Sequence, residues 1–350
     1  MVLLRIVPGM LVRPLHNRYF DVDRFAELVR RQRWLRPDVA LPVLFAAYSV
    51  IALSHRYPET IGVDARIYVR AAAAFLGGGD PWAAFASDPG GTTWHFAALP
   101  PTVLAFVPLT YMTENAAVWT MLWLTVFSAY FIVRSLKLPV WWLLFPPLVQ
   151  GVYVANPQIL LLAMLLSGSS VLRALAPMLK IYALAPLVGE RWMRALAIAV
   201  AMLVGSYLVA PDLWATYFAR SGEIAARVFE EAAGGYSATG TNTALLVATL
   251  GGLLALAVVD WRAAGWLAGP ALVPASQFHL STMAMPVLAR TQTTLLIALF
   301  AIPIRGLPSG IVAVYGTWRA YQVVRARRIG GLGPPAEPRS PGGETIGQAR

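Results

Sequence analysis

A charged, alanine-rich stretch interrupts a chain that otherwise avoids charge: residues 60–82 read TIGVDARIYVRAAAAFLGGGDPW. At helical spacing, Asp64 and Tyr68 fall along one side of this stretch, while Arg66 and Arg70 pair at i,i+4 on another. An aspartate at a helix N-terminus is most often an N-cap or a partner of the helix dipole. The alternative is that Asp64 performs chemistry, and the choice depends first on where a membrane would lie.

The composition is that of a multi-pass membrane protein. Of the 350 residues, 58% are hydrophobic and only 13% are charged, and a soluble protein of this length needs far more charge to cover its surface. The chain has no cysteine, which excludes a disulfide framework and a thiolate metal site. The four histidines lack the spacing of a zinc site. No metal or other cofactor is therefore predicted.

Positive charge is concentrated at the two ends of the chain. Residues 1–38 contain eight arginines, and the segment from Arg319 onward contains six. By the positive-inside rule both termini are predicted to be cytoplasmic, with anionic lipid headgroups as their partners. A nucleic-acid partner is not expected, because the arginines flank apolar segments and no folded basic domain accompanies them.

The predicted fold class is all-α, organised in three parts. A basic interfacial segment covers 1–38, a transmembrane domain covers 39–322, and a Gly/Pro-rich cytoplasmic tail, 323–350, is predicted to be disordered. Two long polar loops, 55–96 and 211–243, fall on the outer face of the plasma membrane. Each contains an amphipathic helical pattern of the kind that lies in the membrane interface. The sequence thus predicts an outward-facing cavity with loop helices beside it.

The apolar runs predict nine to eleven membrane segments. At least one broken or re-entrant segment is expected between 139 and 190, because several runs are short and rich in proline. The runs fall near 39–54, 97–112, 115–133, 139–155, 157–172, 174–189, 195–210, 244–259, 263–279, 281–289, 291–304 and 308–322.

Lys180 stands out because the chain has 26 arginines and only two lysines. It lies in the apolar run LAPMLKIYALAPL. A cation inside a membrane segment is costly, and it usually faces a cavity or pairs with an anion. The alternative is that its long side chain snorkels to the interface.

Several uncharged polar residues also lie in or beside apolar runs. Asn156 and Gln158 place two amides at the start of an apolar helix, and the proline between them makes Asn156 a natural N-cap. Gln277 and His279 lie at the end of a predicted segment, and His95 lies just before one. A single histidine is more often a hydrogen-bonded structural residue than a catalyst.

Taken in order, these segments resemble glycosyltransferase family 87 of the GT-C superfamily, whose members use polyprenol-phosphate sugars. The resemblance covers about residues 39–290. It rests on the acidic loop after the first apolar run and on six short motifs: YVRAAAAFLGGGDPW (68–82), WHFAALPP (94–101), NPQILLLAMLL (156–166), APMLKIYALAPL (176–187), YSATGTNTALL (236–246) and SQFHL (276–280).

The resemblance implies a GT-C-like helical bundle that transfers a sugar at the outer membrane face. The donor would be a polyprenyl-phosphate sugar, with mannose the first candidate and arabinofuranose the second, and the acceptor a lipid or glycan hydroxyl. Asp64 matches the family's catalytic base. A donor that already carries a phosphate leaving group needs one carboxylate for a single inverting displacement, unlike the two that hydrolases use.

Further roles follow from charge, polarity and the resemblance together. The expected donor-phosphate site consists of Lys180, Arg66, Arg70 and His279. The expected contacts to the rest of the substrates are Tyr68, His95, Asn156, Gln158, Asn242 and Gln277.

Two other functions compete with this one. The first is a transporter or flippase of lipid-linked sugars, which would favour an inverted repeat and ionisable groups at the bilayer midplane. No repeat is visible in the sequence. The second is a non-catalytic membrane subunit of envelope polysaccharide assembly, which has no evident use for an intramembrane lysine.

Overall fold

The computed structural model describes residues 37–56, 61–87, 93–231, 242–273 and 277–330. The chain divides into two compact units, Met1–Leu44 and Phe45–Arg350. Of the first unit only the opening residues of one helix are described. The second unit contains the remaining described elements, and these are mostly helical, so the all-α prediction is confirmed at that level.

The described α-helices differ widely in length and follow one another closely. In chain order they are α1 (Pro37–Arg56), α2 (Val63–Leu76), α3 (Pro100–Phe106), α4 (Glu114–Ser135), α5 (Pro146–Tyr153), α6 (Pro157–Leu166), α7 (Ser170–Leu179), α8 (Leu184–Gly189), α9 (Met193–Val209), α10 (Pro211–Glu231), α11 (Thr243–Val259), α12 (Trp261–Leu272), α13 (Met285–Thr291), α14 (Thr294–Phe300) and α15 (Leu307–Gly330). Five 3₁₀ turns lie between them: Pro81–Ala83, Val107–Tyr111, Val140–Leu144, Ile181–Ala183 and Phe278–Ala284.

One small β-hairpin was not predicted from the sequence. Strand β1 (Phe85–Ser87) pairs antiparallel with β2 (Thr93–His95), with Phe85 opposite His95. The two strands lie within the predicted outer loop 55–96, next to α2.

The lengths of the described helices do not confirm the predicted number of membrane segments. Among the described residues, one helix, α4, is long and apolar enough to cross a membrane. The number rises to three if two bent pairs each form one span: α5 with α6, bent by 119°, and α9 with the first part of α10, bent by 98°. The first pair agrees with the expected break between 139 and 190. The nine to eleven segments stay a prediction.

Proline explains why several predicted segments are not continuous helices. The run 97–112 forms α3 followed by a 3₁₀ turn, and the run 139–155 forms a 3₁₀ turn followed by α5. Prolines stand at the start of the 3₁₀ turn Val107–Tyr111 and of α5, where the missing N–H costs nothing, but they cannot continue a preceding helix. The break within 139–155 lies in the region where a broken segment is expected, and the run 97–112 is likewise not one continuous α-helix.

The C-terminal boundary is also corrected. Helix α15 continues to Gly330, so the disorder predicted from residue 323 is wrong for 323–330. The remainder of the predicted tail lies outside the described residues, as does almost all of the basic segment 1–38.

The alanine-rich helix α2 lies in the interior of its unit. It packs against α3, α4 and the hairpin, and Ala65, Ala71 and Ala72 are completely buried. Alanine side chains allow neighbouring backbones to approach closely and lose no rotamer freedom on burial. The run of alanines thus positions α2, and Asp64 at its start, among the packed helices.

Candidate functional site

Asp64 does not cap its own helix. The N-cap of α2 is Gly62, in the left-handed conformation (φ 68°), and no side chain accepts a hydrogen bond there. Instead, the Gly62 N–H donates to the Tyr153 carbonyl (2.8 Å) and the Asp64 N–H to the Val154 carbonyl (3.1 Å). The first turn of α2 is therefore anchored on the end of α5, and the capping interpretation of Asp64 is wrong.

The break between α5 and α6 supplies the partner of Asp64. Ala155, completely buried, has φ 54° there, a conformation that costs a residue with a Cβ about 1–2 kcal/mol. The next residue, Asn156, caps α6 as predicted: its Oδ1 accepts from the Gln158 N–H at 2.8 Å. Its Nδ2 donates to Asp64 Oδ2 at 2.6 Å.

The two contacts fix the orientation of the Asn156 amide by chemistry. The Gln158 backbone N–H can only donate, so the amide oxygen faces it and the NH₂ group faces the carboxylate. The other carboxylate oxygen, Asp64 Oδ1, accepts no hydrogen bond from the described residues. One oxygen of Asp64 is thus held, and the other remains available to accept a proton.

Burial sets the protonation behaviour of Asp64. The residue is 7% exposed and Asn156 is 3% exposed. Burial raises the pKa of the Asp64 carboxyl above its usual value, while the Asn156 hydrogen bond and then the charge of Lys180 oppose the rise. A carboxylate with a raised pKa is a better proton acceptor than an exposed aspartate, because proton-transfer efficiency improves as the pKa approaches the working pH.

Lys180 lies at the break between α7 and the 3₁₀ turn Ile181–Ala183. The hydroxyl of Thr102, in α3, donates to the carbonyls of Met178 (2.8 Å) and Leu179 (2.9 Å), which fixes the end of α7. Sequence analysis missed Thr102, since a threonine within a helix has no distinguishing pattern.

The ammonium group of Lys180 faces the Asp64 region without an ion-pair contact. Its Nζ lies 6.0 Å from the centre of the Tyr68 ring, and its charge acts on Asp64, Tyr68 and Tyr182. None of the ion pairs within 4.0 Å that the described residues form includes Lys180. Lys180 hydrogen-bonds to Tyr68, and no described carboxylate in contact with it neutralises its charge.

Two further buried side chains next to this cation have unpaired polar atoms. Gln158 is 0% and His279 3% exposed, and within the described part of the chain Gln158 Nε2 and His279 Nδ1 have no hydrogen-bond partner. The charge of Lys180 reaches His279, and the Tyr182 hydroxyl donates to Gln158 Oε1. Buried polar atoms are rarely left unpaired in native proteins, so these two indicate a polar ligand or bound water.

Tyr182 is a second residue that the sequence analysis missed. It stands two positions after Lys180 in the same apolar run. Its position close to Lys180 in the sequence could have indicated that it belongs to the same site. We use the name polar cluster for Asp64, Tyr68, Asn156, Gln158, Lys180, Tyr182 and His279.

The structure does not bring the two predicted arginines into the polar cluster. Arg70 makes a bidentate ion pair with Glu114 of α4 (3.0 and 2.9 Å) and donates to the Phe85 carbonyl (2.9 Å). Arg66 donates to the Ile61 carbonyl (3.1 Å) and lies 3.8 Å from Glu114. Both guanidinium groups are therefore bound by groups outside the polar cluster.

The other expected substrate contacts lie on separate elements. His95 is in β2, with its ring centre 5.8 Å from that of Phe85. Asn242 caps α11 by accepting from the Leu245 N–H at 3.1 Å. Gln277 directly precedes the 3₁₀ turn that contains His279. No hydrogen bond between described residues joins Asn242 or Gln277 to the polar cluster.

Acidic and histidine side chains do not converge elsewhere in the described ranges. No group of three or more of them there is placed to hold a metal ion. Comparisons of this chain with known protein families, with curated proteins and with solved structures give no match.

Proposed function

We propose that the chain is a multi-pass plasma-membrane glycosyltransferase of the GT-C type. It transfers a sugar, mannose as the first candidate, from a polyprenyl-phosphate donor to a hydroxyl of a lipid or glycan acceptor on the extracytoplasmic side. The observation that supports this most directly is the buried Asp64, held through one oxygen by Asn156, beside the cation of Lys180, which hydrogen-bonds to Tyr68 and forms no ion pair with a described carboxylate.

The reaction needs one proton acceptor and one anion stabiliser. The acceptor hydroxyl oxygen attacks the anomeric carbon, and its proton passes to Asp64 Oδ1. The bond between the anomeric carbon and the phosphate oxygen breaks, and the electron pair stays on the phosphate, so polyprenyl phosphate leaves. Lys180 stabilises the charge that develops there, a role that fixed cations perform well in a site from which water is excluded.

The remaining residues of the polar cluster fit contacts to a hydroxylated ligand. Gln158 Nε2 can donate a hydrogen bond, and His279 Nδ1 can donate or accept one, depending on its tautomer. Sugar hydroxyls both donate and accept, so they would pair Gln158 Nε2 and His279 Nδ1, which have no hydrogen-bond partner among the described residues. Arg66 and Arg70 are left out of the proposed phosphate site, because Glu114 already binds them.

The test is a transfer assay with defined lipids. Purified protein in proteoliposomes is incubated with radiolabelled polyprenyl-phosphate mannose or arabinofuranose and a mixture of lipid acceptors. We expect one donor to yield a new labelled product and an equimolar amount of polyprenyl phosphate. Label that crosses the bilayer still attached to its donor, with no new product, would instead support a transporter.

A further inference from the structure

The side chain of Asn156 makes two hydrogen bonds with different structural roles. Its amide oxygen caps α6 and its amide nitrogen reaches Asp64, a residue 92 positions away in sequence. Because the cap determines which way the amide points, the donor to Asp64 cannot turn away without uncapping α6. Both polar atoms of Asn156 therefore already have a partner within the protein.

The backbone around Asn156 supports the same geometry. The preceding residue, Ala155, is held at φ 54° between helices bent by 119°, and strained backbone of this kind persists only where the surroundings impose it. The carbonyls of Tyr153 and Val154, just before the bend, receive the first N–H groups of α2. The bend therefore holds both the backbone of Asp64 and its side chain.

We propose that Asn156 is a positioning residue: it fixes the Asp64 carboxylate through Oδ2 and so presents Oδ1 to the acceptor hydroxyl. This inference rests on the proposed function for the meaning of Oδ1, but the positioning itself can be measured without any transfer reaction. It also replaces the expected role of Asn156 as a direct substrate contact.

Few other groups act on this carboxylate. Lys180 faces it from the end of α7, and Tyr68 lies one helical turn further along α2. Tyr182 and His279 act on Lys180 or are acted on by it. Glu114, on the neighbouring α4, faces the arginines instead. Replacing the NH₂ donor of Asn156 should therefore mainly change the pH at which Asp64 titrates.

The decisive variant is Asn156→Asp. Aspartate caps a helix about as well as asparagine and has nearly the same shape, so α6 keeps its cap. The NH₂ donor is lost and a second carboxylate takes its place, and two carboxylates at such a distance share a proton. The pair then titrates with an upper apparent pKa above that of Asp64 in the parent protein.

The sign of the effect on stability follows from proton linkage. In the parent, the folded-state pKa of Asp64 lies above its unfolded value, so stability is full below the unfolded pKa and falls as pH rises toward the folded pKa. In Asn156→Asp this fall should extend to higher pH. A charge-assisted hydrogen bond corresponds to a shift of about one to two pH units.

The experiment measures the unfolding temperature and the transfer rate as functions of pH for the parent, Asn156→Asp and Asn156→Ser. Serine also caps a helix but is too short to reach Asp64, so it removes the donor without adding a charge. Asn242→Asp is the control for unfolding, since it makes the same change at the exposed cap of α11. We expect the fall in stability and the acidic limb of the rate profile to move to higher pH in both Asn156 variants, and the unfolding profile of Asn242→Asp to stay with the parent.

The outcomes separate the two proposals. If the parent protein transfers no sugar but the unfolding profiles of the Asn156 variants move to higher pH, the positioning role of Asn156 is supported and the proposed glycosyltransferase activity is contradicted. An active parent whose two pH profiles stay in place in Asn156→Ser and Asn156→Asp would overturn the positioning role alone. If Asn156→Asp does not fold, the serine variant decides.

Discussion

At the scale of single residues, the sequence indicated most of the polar side chains of the site but not the contacts between them. Asp64, Lys180, Asn156 and Gln158 were recognisable because each is a polar residue at the edge of, or within, an apolar run. The Asn156–Asp64 hydrogen bond spans 92 positions, and the Arg70–Glu114 ion pair spans 44. Pairings over such separations depend on how helices pack, which local pattern does not determine.

Lys180 provides a test with a matched control, since the chain has only one other lysine. Lys180→Gln should weaken donor binding roughly 10- to 100-fold, because a hydrogen bond to a charged group contributes about 1.5–3 kcal/mol. Lys137→Gln removes the same charge from an exposed position at the end of α4 and should leave binding unchanged. The measurement is a titration of both variants with fluorescent polyprenyl-phosphate sugar.

Equal affinity for the two lysine variants would contradict the proposed phosphate site. Lys180 would then be a neighbour of Asp64 and Tyr68 that does not bind the donor phosphate.

At the scale of elements, the residues at the start of α2 determine how closely this helix packs against α4. Gly62 has positive φ, and a Cβ added to it would collide with Val118 of α4. The helix and its alanine-rich pattern could be predicted from the sequence. Its burial could not, because an amphipathic pattern in an outer loop is typical of an interfacial helix.

Two glycines allow the backbone and packing effects at this turn to be separated. Gly62→Ala should lower the unfolding temperature more than Gly78→Ala. Both positions have positive φ, but a Cβ at Gly78 meets nothing within 4 Å. The excess corresponds to about 1–3 kcal/mol of overpacking. Thermal unfolding measures it, and Gly62→Ala combined with Val118→Ala should recover part of it.

An equal loss in the two single variants would show that the close approach of Gly62 to α4 does not contribute to stability. The anchoring of Asp64 would then depend on the backbone hydrogen bonds to the end of α5 and on the hydrogen bond from Asn156.

At the scale of the whole molecule, hydropathy located the helical regions, and short proline-rich runs indicated a break between 139 and 190, but the other breaks were not predicted. The apolar runs coincide with described helices, yet prolines divide several of them. Hydropathy counts apolar residues, whereas a helix ends where a backbone N–H is missing or a new first turn begins. The hairpin was missed for another reason: strands of three residues are too short to show an alternating pattern.

Membrane orientation is the prediction that belongs to this scale. The parent has no cysteine, so single cysteines can be introduced at exposed positions: Ser221→Cys in α10 and Arg325→Cys near the end of α15. With arginine concentrated at both termini, a membrane-impermeant maleimide should label the first variant in intact cells and the second only after permeabilisation.

The reverse labelling pattern would place the loop 211–243 in the cytoplasm. It would move the proposed reaction to the opposite membrane face and remove the argument for a lipid-linked donor that is used outside the cell.

The measurement that tests the central claim most directly is sugar transfer by Asp64→Asn. The substitution preserves the shape of the side chain, and an asparagine oxygen can still accept from Asn156, but the group no longer takes a proton at neutral pH. If Asp64 is the general base, transfer should fall by roughly 10²- to 10⁴-fold while donor binding and the unfolding temperature stay close to those of the parent. Near-normal turnover by Asp64→Asn would contradict the account.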